Sequence, residues 1–448
     1  MVAPFAVLLG AIAVLPLVPA TMHWWESNLH RFYVAGGLAA VTLAYYAALH
    51  AYPIHAHWPV HHIVRPAENG PNFEETAEVF ANAMLDEYLP FIILLFSLYT
   101  ISGGIRIEGD LPAHPLTNCT FLAAGALLAS FIGTTGAAML LVRPLLETNR
   151  ERKHVKHTVI FFIFIVCNCG GLLLPLGDPP LFLGYLMGVP FLWTASLWKE
   201  WLFVNAALLS LYWLWDYFWY YPREMPADIA RDETRVHRLR FGGLWPNTLL
   251  LAGVILSVGL LDPGKAIPGT DWHPWMYLRE AAQLACVALS LVLGSHSIRR
   301  ANRFNYAAIV EVAVLFFGIF ICMQPALQIL GVRGPSLGLL TPTQFFWCTG
   351  GLSSFLDNAP TYVVFFQTAK TLGGGPAVAG VAEPLLRAIS LGAVFMGANT
   401  YIGNGPNFMV RAIAQKWGVP MPGFFGYMLY SGLILLPLFA LANWVFLR

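Results

Sequence analysis

Phe355-Leu-Asp-Asn-Ala-Pro-Thr361 puts an acid, an amide and a helix-breaking proline between WCTGGLSS and YVVFFQTAK, in a segment otherwise apolar enough to lie in a bilayer. A proline inside a helix removes a backbone donor and clashes with the preceding turn. In hydrocarbon the freed groups cost several kcal/mol each, so such a break persists only where protein or a polar cavity surrounds it. FLDNAPT therefore reads as the turn of a broken membrane segment, and the rest of the chain can be ordered around it.

The surroundings are those of a membrane protein. Of 448 residues, 57% are hydrophobic and 11% are charged, against about 25% charged in soluble proteins. Apolar blocks near the ~20 residues of a spanning helix recur along the chain, which predicts a polytopic all-α protein in a lipid bilayer. The net charge of +1 offers no electrostatic partner such as nucleic acid. No basic residue precedes Arg31, so the first apolar segment lacks the charged start of a cleavable signal and is expected to be a retained helix. The six cysteines show no CxxC spacing and read as packing residues.

The blocks fall into two halves of one plan. Residues 1–220 carry helices at 3–20, 32–50 and 84–104, a block at 115–146 broken near its middle, a second broken block at 157–188, and a further helix. A polar connection at 221–243 follows, expected on the cytoplasmic side. Residues 244–448 repeat the order, with broken blocks at 342–367 and 385–416. Arms of ~13 residues reach only about 20 Å, short of a ~30 Å hydrocarbon core, so the blocks at 115–146 and 342–367 read as re-entrant hairpins. Five crossings per half, about ten in all, would invert the second half relative to the first, as in the inverted repeats of secondary transporters. Residue matches support the pairing: FIGTTGAAMLL from Phe131 aligns with FLDNAPTYVVF from Phe355, and PLGDPPLF from Pro175 with YIGNGPNF from Tyr401. In the ten-crossing arrangement, eight of the 25 Lys and Arg residues share the side of the N terminus and 17 lie opposite. The positive-inside rule then predicts both termini outside the cytoplasm.

The breaks also define the expected chemistry. Gly133, Gly177 and Gly403 permit turns and close approaches, and freed carbonyls can ligate a small hard cation. Oxygen and amide side chains gather around them: Thr134, Thr135, Asn168 and Asp178 in the first half, and Asp357, Asn358, Thr361, Asn399, Thr400, Asn404 and Asn407 in the second, with the backbone at Ala359. Such donors suit Na⁺, Li⁺ or H⁺ over a soft metal. Asp357 and Asp178, costly if ionised and unpaired, should each hold a cation or take a proton. The competing reading is structural, since Asp ahead of Pro is a helix-capping pattern at both positions. Glu87 and Glu311, each leading into an apolar run, are possible proton-path groups. The histidines of HAHWPVHH, His55 to His62, fit an interfacial loop better than a metal site.

At these residues the sequence resembles the ion transporter superfamily, which includes NhaD-type sodium/proton antiporters, arsenite permeases and citrate transporters. LSSFLDNAPT resembles the D-N-x-P-T hairpin of the NhaD and arsenite permease branch. GGLLLPLGDPP and ANTYIGNGPN resemble the paired broken-helix motifs of the superfamily. Divalent-anion symporters carry Ser-Asn-Thr at both tips, where this chain has Gly133-Thr134-Thr135 and Asp357-Asn358-Ala359. The resemblance implies an elevator-type transporter of the plasma (inner) membrane, arranged as a homodimer. Sequence and resemblance together predict a non-enzymatic Na⁺/H⁺ antiporter without cofactors, Na⁺ being held by Asp357, Asn358, Thr134 and Thr135. The alternative is a cation-coupled carrier of citrate, a dicarboxylate or an oxyanion. An intramembrane aspartyl protease is a remote third reading, because a proline replaces the first glycine of the Gly-x-Gly-Asp pattern in PLGDPP.

Overall fold

A computed structural model describes residues 2–56, 62–67, 70–234, 236–267, 269–373 and 376–448. His57, His61 and the side chain of His55 lie outside the described residues; His62 stands 3.9 Å from Glu78. The described chain is mostly helical, with three two-stranded antiparallel sheets.

The helices in order are α1 (Ala3–Val14), α2 (Pro19–Trp25), α3 (Asn28–Ala48), α4 (Phe73–Ala81) and α5 (Leu89–Ser102). They continue with α6 (Pro115–Ile132), α7 (Thr134–Thr148), α8 (Lys156–Ile165), α9 (Pro179–Leu186), α10 (Trp198–Trp215) and α11 (Pro226–Thr234). Next come α12 (Leu244–Leu260), α13 (Leu278–Leu293), α14 (His296–Ala301), α15 (Ala307–Arg333), α16 (Pro342–Ser353) and α17 (Asn358–Lys370). The series closes with α18 (Glu383–Met396), α19 (Gly405–Lys416) and α20 (Phe424–Phe446). Proline sets many of the starts. It occupies the first or second position of α6, α9, α16, α18 and α19, where its missing N–H would have had no intrahelical partner. Thr341 and Gln344 add a reciprocal capping box at α16.

Two expectations change. The helix expected at 3–20 is bent by 103° between α1 and α2, because Pro16 and Pro19 interrupt it. About ten crossings were expected, two of them interrupted helices; among the described residues four unbroken helical stretches are long and apolar enough to cross a membrane: Phe73–Ser102, Pro115–Ile132, Ala307–Leu337 and Phe424–Phe446. The bent pair at the N terminus makes a fifth. The other apolar helices are shorter, such as Leu244–Leu260, or more polar. The arms around the central turns also differ from one another. α16 and α17, of 12 and 13 residues, reach about 18–20 Å, but the 18 residues of α6 reach about 27 Å. The short-reach argument therefore fits the second pair and not α6.

The described part of the connection after α10 has its own secondary structure. It holds α11 and a strand, His237–Gly242, that pairs antiparallel with Arg106–Asp110. Close helix contacts rest on small residues. A side chain at Gly318 in α15 would meet Ala35 of α3 at 2.8 Å, and one at Gly392 in α18 would meet the Phe346 carbonyl of α16 at 2.6 Å. α17, from the second half of the chain, packs on α9 from the first.

One buried charged cluster ties the turn after α7 to the end of α10. Arg152 donates from both terminal nitrogens to Asp216 at 2.9 and 2.5 Å, and His157 Nε2 lies 3.0 Å from the same carboxylate. Glu224 accepts the Lys153 and His154 N–H groups at 2.9 Å each. Asp216 is fully buried, so removing its cation strands a charge at a cost of about 3–5 kcal/mol. Arg152→Leu should lower the unfolding midpoint in detergent sharply, and adding Asp216→Leu should recover much of it. Equal midpoints for wild type and Arg152→Leu would contradict this account.

Candidate functional site

The site forms where two interrupted segments meet two helix-turn-helix tips. Between α8 and α9 the chain leaves the helix from Val166 to Asp178 apart from one tight turn at Cys169–Leu172; between α18 and α19 it does so around Gly397–Asn399 and up to Asn404. Gly133 separates α6 from α7 with φ +79° and ψ 151°, a conformation that L side chains rarely adopt. Its neighbour Thr134 donates its N–H to the Gly177 carbonyl at 2.9 Å, which docks the first tip onto the first break. Gly177 has no room for a side chain, because a Cβ there would collide with the Gly171 carbonyl. Gly403 repeats the arrangement, its Cβ position lying 2.6 Å from the Gly397 carbonyl.

Asp178 is the hub. It is 1% exposed and accepts three hydrogen bonds, all from neutral groups. Thr134 Oγ1 donates at 3.1 Å, Asn404 Nδ2 at 2.9 Å, and Asn358 Nδ2 at 2.6 Å. One carboxylate thus joins the tip before α7, the tip before α17 and the second broken segment. Asn404 also donates to the Cys167 carbonyl at 3.0 Å. Asn168 donates to Asn407 at 2.8 Å, and Asn407 donates to the Gly397 and Thr400 carbonyls at 2.9 Å each. Three amide oxygens of the candidate site residues, Asn168 Oδ1, Asn358 Oδ1 and Asn399 Oδ1, are buried without a hydrogen-bond partner. A Cβ at Gly397 would stand 3.1 Å from Asn168 Oδ1 and 3.6 Å from Asn358 Nδ2. Buried oxygens left without donors are the acceptors a small cation or a proton would satisfy.

Asp357 sits differently. Its Oδ1 accepts the Ala359 N–H at 3.1 Å, its carbonyl accepts the Thr361 hydroxyl at 2.9 Å, and it caps α17. It shares no hydrogen bond with Asp178. Thr400 Oγ1 donates to the Ser354 carbonyl, and Asn399 Nδ2 to Ser354 Oγ at 2.9 Å, so these two brace the second tip. Thr135 is half-buried outside the Asp178 hydrogen-bond set. Glu87 accepts from Gln324 at 3.1 Å, and Glu311 pairs with Arg31 at 2.9 Å; neither bonds to the Asp178 group.

Two serines escaped the reading of the motifs. Ser130 Oγ donates to the Gly170 carbonyl at 2.6 Å, and Ser354 Oγ to the Met396 carbonyl at 3.1 Å, so each tip holds a freed carbonyl of a broken segment. The signal was present in the sequence, since a serine precedes both aligned stretches, SFIGTTG and SFLDNAP. Trp201 and Asn205 add bonds to the Gly170 and Cys169 carbonyls, and Tyr427 and Ser431 to those of Ala398 and Asn399.

A cavity of about 1210 Å³ runs along α7 between the strand Arg106–Asp110, the 301–305 turn and the end of α19. Arg106, Arg143, Arg150, Arg303 and Lys416 line it together with Glu108, Asp110, Glu147 and Glu151. Asp178 does not line it; Thr134 lies about 14 Å along α7 from Arg143 at 1.5 Å per residue.

Residues 50–447 match a family described as "Putative citrate transport". The P protein of Mus musculus is 25% identical over 195 residues, covering 41% of this chain and 23% of that protein. The chain therefore spans under a quarter of that relative's length.

The packing at Gly177 yields a direct test. Gly177→Ala must push apart the Gly171 and Gly177 backbones and should abolish transport while lowering the unfolding midpoint. Gly405→Ala, at a position with open space around its Cβ, should leave the midpoint near wild type. Indistinguishable midpoints for Gly177→Ala and wild type would refute the close approach.

Proposed function

The chain belongs to this citrate-transport family, and from that membership we propose that it is a cation-coupled secondary transporter whose coupling ion binds at the Asp178 centre. One observation carries the reading. A sequestered carboxylate is held only by neutral donors, beside buried amide oxygens that lack partners. Such a centre favours a small cation or a proton and opposes a bare anion. We read the exchanged species as Na⁺ (or Li⁺) and H⁺, one carboxylate serving two mutually exclusive occupants. Asp178 would be the carrier, with Thr134, Asn358, Asn404 and Asn168 as its neighbours. Asp357, Thr135, Asn399, Thr400 and Asn407 would complete or brace the shell.

The same proposal includes two inverted halves, 1–220 and 244–448, moving as an elevator in a homodimer of the plasma (inner) membrane, with both termini outside the cytoplasm. The paired serine contacts and the paired glycine approaches support the repeat. Asp178 is almost fully enclosed, so transport requires an alternative state that opens the centre; rigid motion of the tips with the broken segments would supply it.

A second reading follows from the family description and the cavity. Five basic side chains at its wall, Arg106, Arg143, Arg150, Arg303 and Lys416, against four acids, would receive a polyanion such as citrate, carried with a cation that neutralises Asp178.

Proteoliposomes separate the readings. An imposed Na⁺ gradient should drive proton flux in the absence of citrate. Citrate uptake with no Na⁺-dependent proton flux would overturn exchange in favour of the second reading. Asp178→Asn should lose at least about tenfold of the transport rate with an unchanged size-exclusion profile, and wild-type rates in that variant would end the assignment. Asp357→Asn discriminates between cap and carrier, because asparagine caps a helix about as well as aspartate. Retained transport marks a cap, and lost transport with an unchanged unfolding midpoint marks a carrier.

A further inference from the structure

A second cluster of acids lies away from Asp178. Asp110 ends the strand Arg106–Asp110, Glu151 follows α7, and Asp232 lies in α11 of the connecting segment. One carboxylate oxygen from each lies within 4.8 Å of the others, and no other such group occurs among the described residues.

Grouped acids alone are common, but the burial here is not. Asp232 is 6% exposed. Its Oδ2 accepts the Ala113 N–H at 2.8 Å, while its Oδ1 is buried and has no hydrogen-bond partner. Asp110 Oδ1 is likewise buried without a partner. Buried carboxylate oxygens facing other carboxylates require a cation or a proton. Among the described residues no lysine or arginine forms an ion pair with Asp110 or Asp232; His237 faces Asp110 across the strands, and Arg152 is engaged by Asp216 and Glu224. Burial and the charges of Glu151, Asp232 and Glu147 push Asp110 up to about 6, and burial raises Asp232 as well.

We infer that Asp110, Glu151 and Asp232 form a binding site for a hard divalent cation. Three hard carboxylate ligands suit Ca²⁺, Mg²⁺ or Mn²⁺ over a soft metal. Waters would complete the coordination, since Asp110 and Glu151 also line the large cavity. The ion would tie the strand and the turn after α7 to α11, fixing the connecting segment against the end of the helix that begins at Thr134.

The test uses the full chain in detergent after chelator treatment, with CaCl₂ alone as titrant at pH 7.5. A saturable heat of binding and a rise in unfolding midpoint are expected. Asp232→Asn and Asp110→Asn should each weaken Ca²⁺ binding at least tenfold. Since Asp110→Asn removes repulsion in the ion-free protein, it should fold even if Asp232→Asn does not. Absence of saturable binding, or binding that is equal in wild type and Asp110→Asn, would overturn the inference.

Discussion

The buried carboxylate of Asp178, held by Thr134, Asn358 and Asn404, is the constraint on which the centre of the protein depends. Three separate elements donate to it, so none can be placed independently. Each donor stands at or beside a break in the helices, where backbone groups are free and side chains can reach the middle of the protein. The breaks survive because protein groups satisfy the freed carbonyls. Ser130, Trp201 and Asn205 do so for the first segment, and Ser354, Asn407, Tyr427 and Ser431 for the second. Without these bonds an interrupted segment in hydrocarbon would be far too costly.

The network also explains why neutral donors surround an acid. Threonine and asparagine lower the cost of a buried charge without cancelling it, leaving the carboxylate responsive to a cation or a proton. A lysine or arginine at the same place would instead form a fixed pair. Structural charges in this protein are treated in the opposite way. Asp216 is buried as deeply, yet Arg152 and His157 both bind it, as suits a tie between elements that stay together.

Asp357 and Asp178 looked alike in sequence, each before a proline-containing helix start. Tertiary contacts separate them. Asp357 turns its oxygen to its own helix and meets the Ala359 N–H, while Asp178 reaches across to residues 44, 180 and 226 positions away. Local pattern reveals a cap, because a cap is a local interaction. A hub built from distant residues leaves no such trace.

Membrane character, the sites of the breaks and the oxygen-rich residues around them were legible in the sequence alone, because hydropathy, proline and glycine act within a few residues. The serines before both aligned stretches were legible as well, once the two segments were compared. Helix lengths were less so. α6 runs on to Ile132, and the N-terminal segment bends at its prolines, since where a helix stops depends on what its end packs against. Only the tertiary structure decided which acid collects the neutral donors and brought Asp110, Glu151 and Asp232 together from three elements. The physical reason is shared: burial and convergence are properties of long-range packing, which a spacing along the chain does not encode.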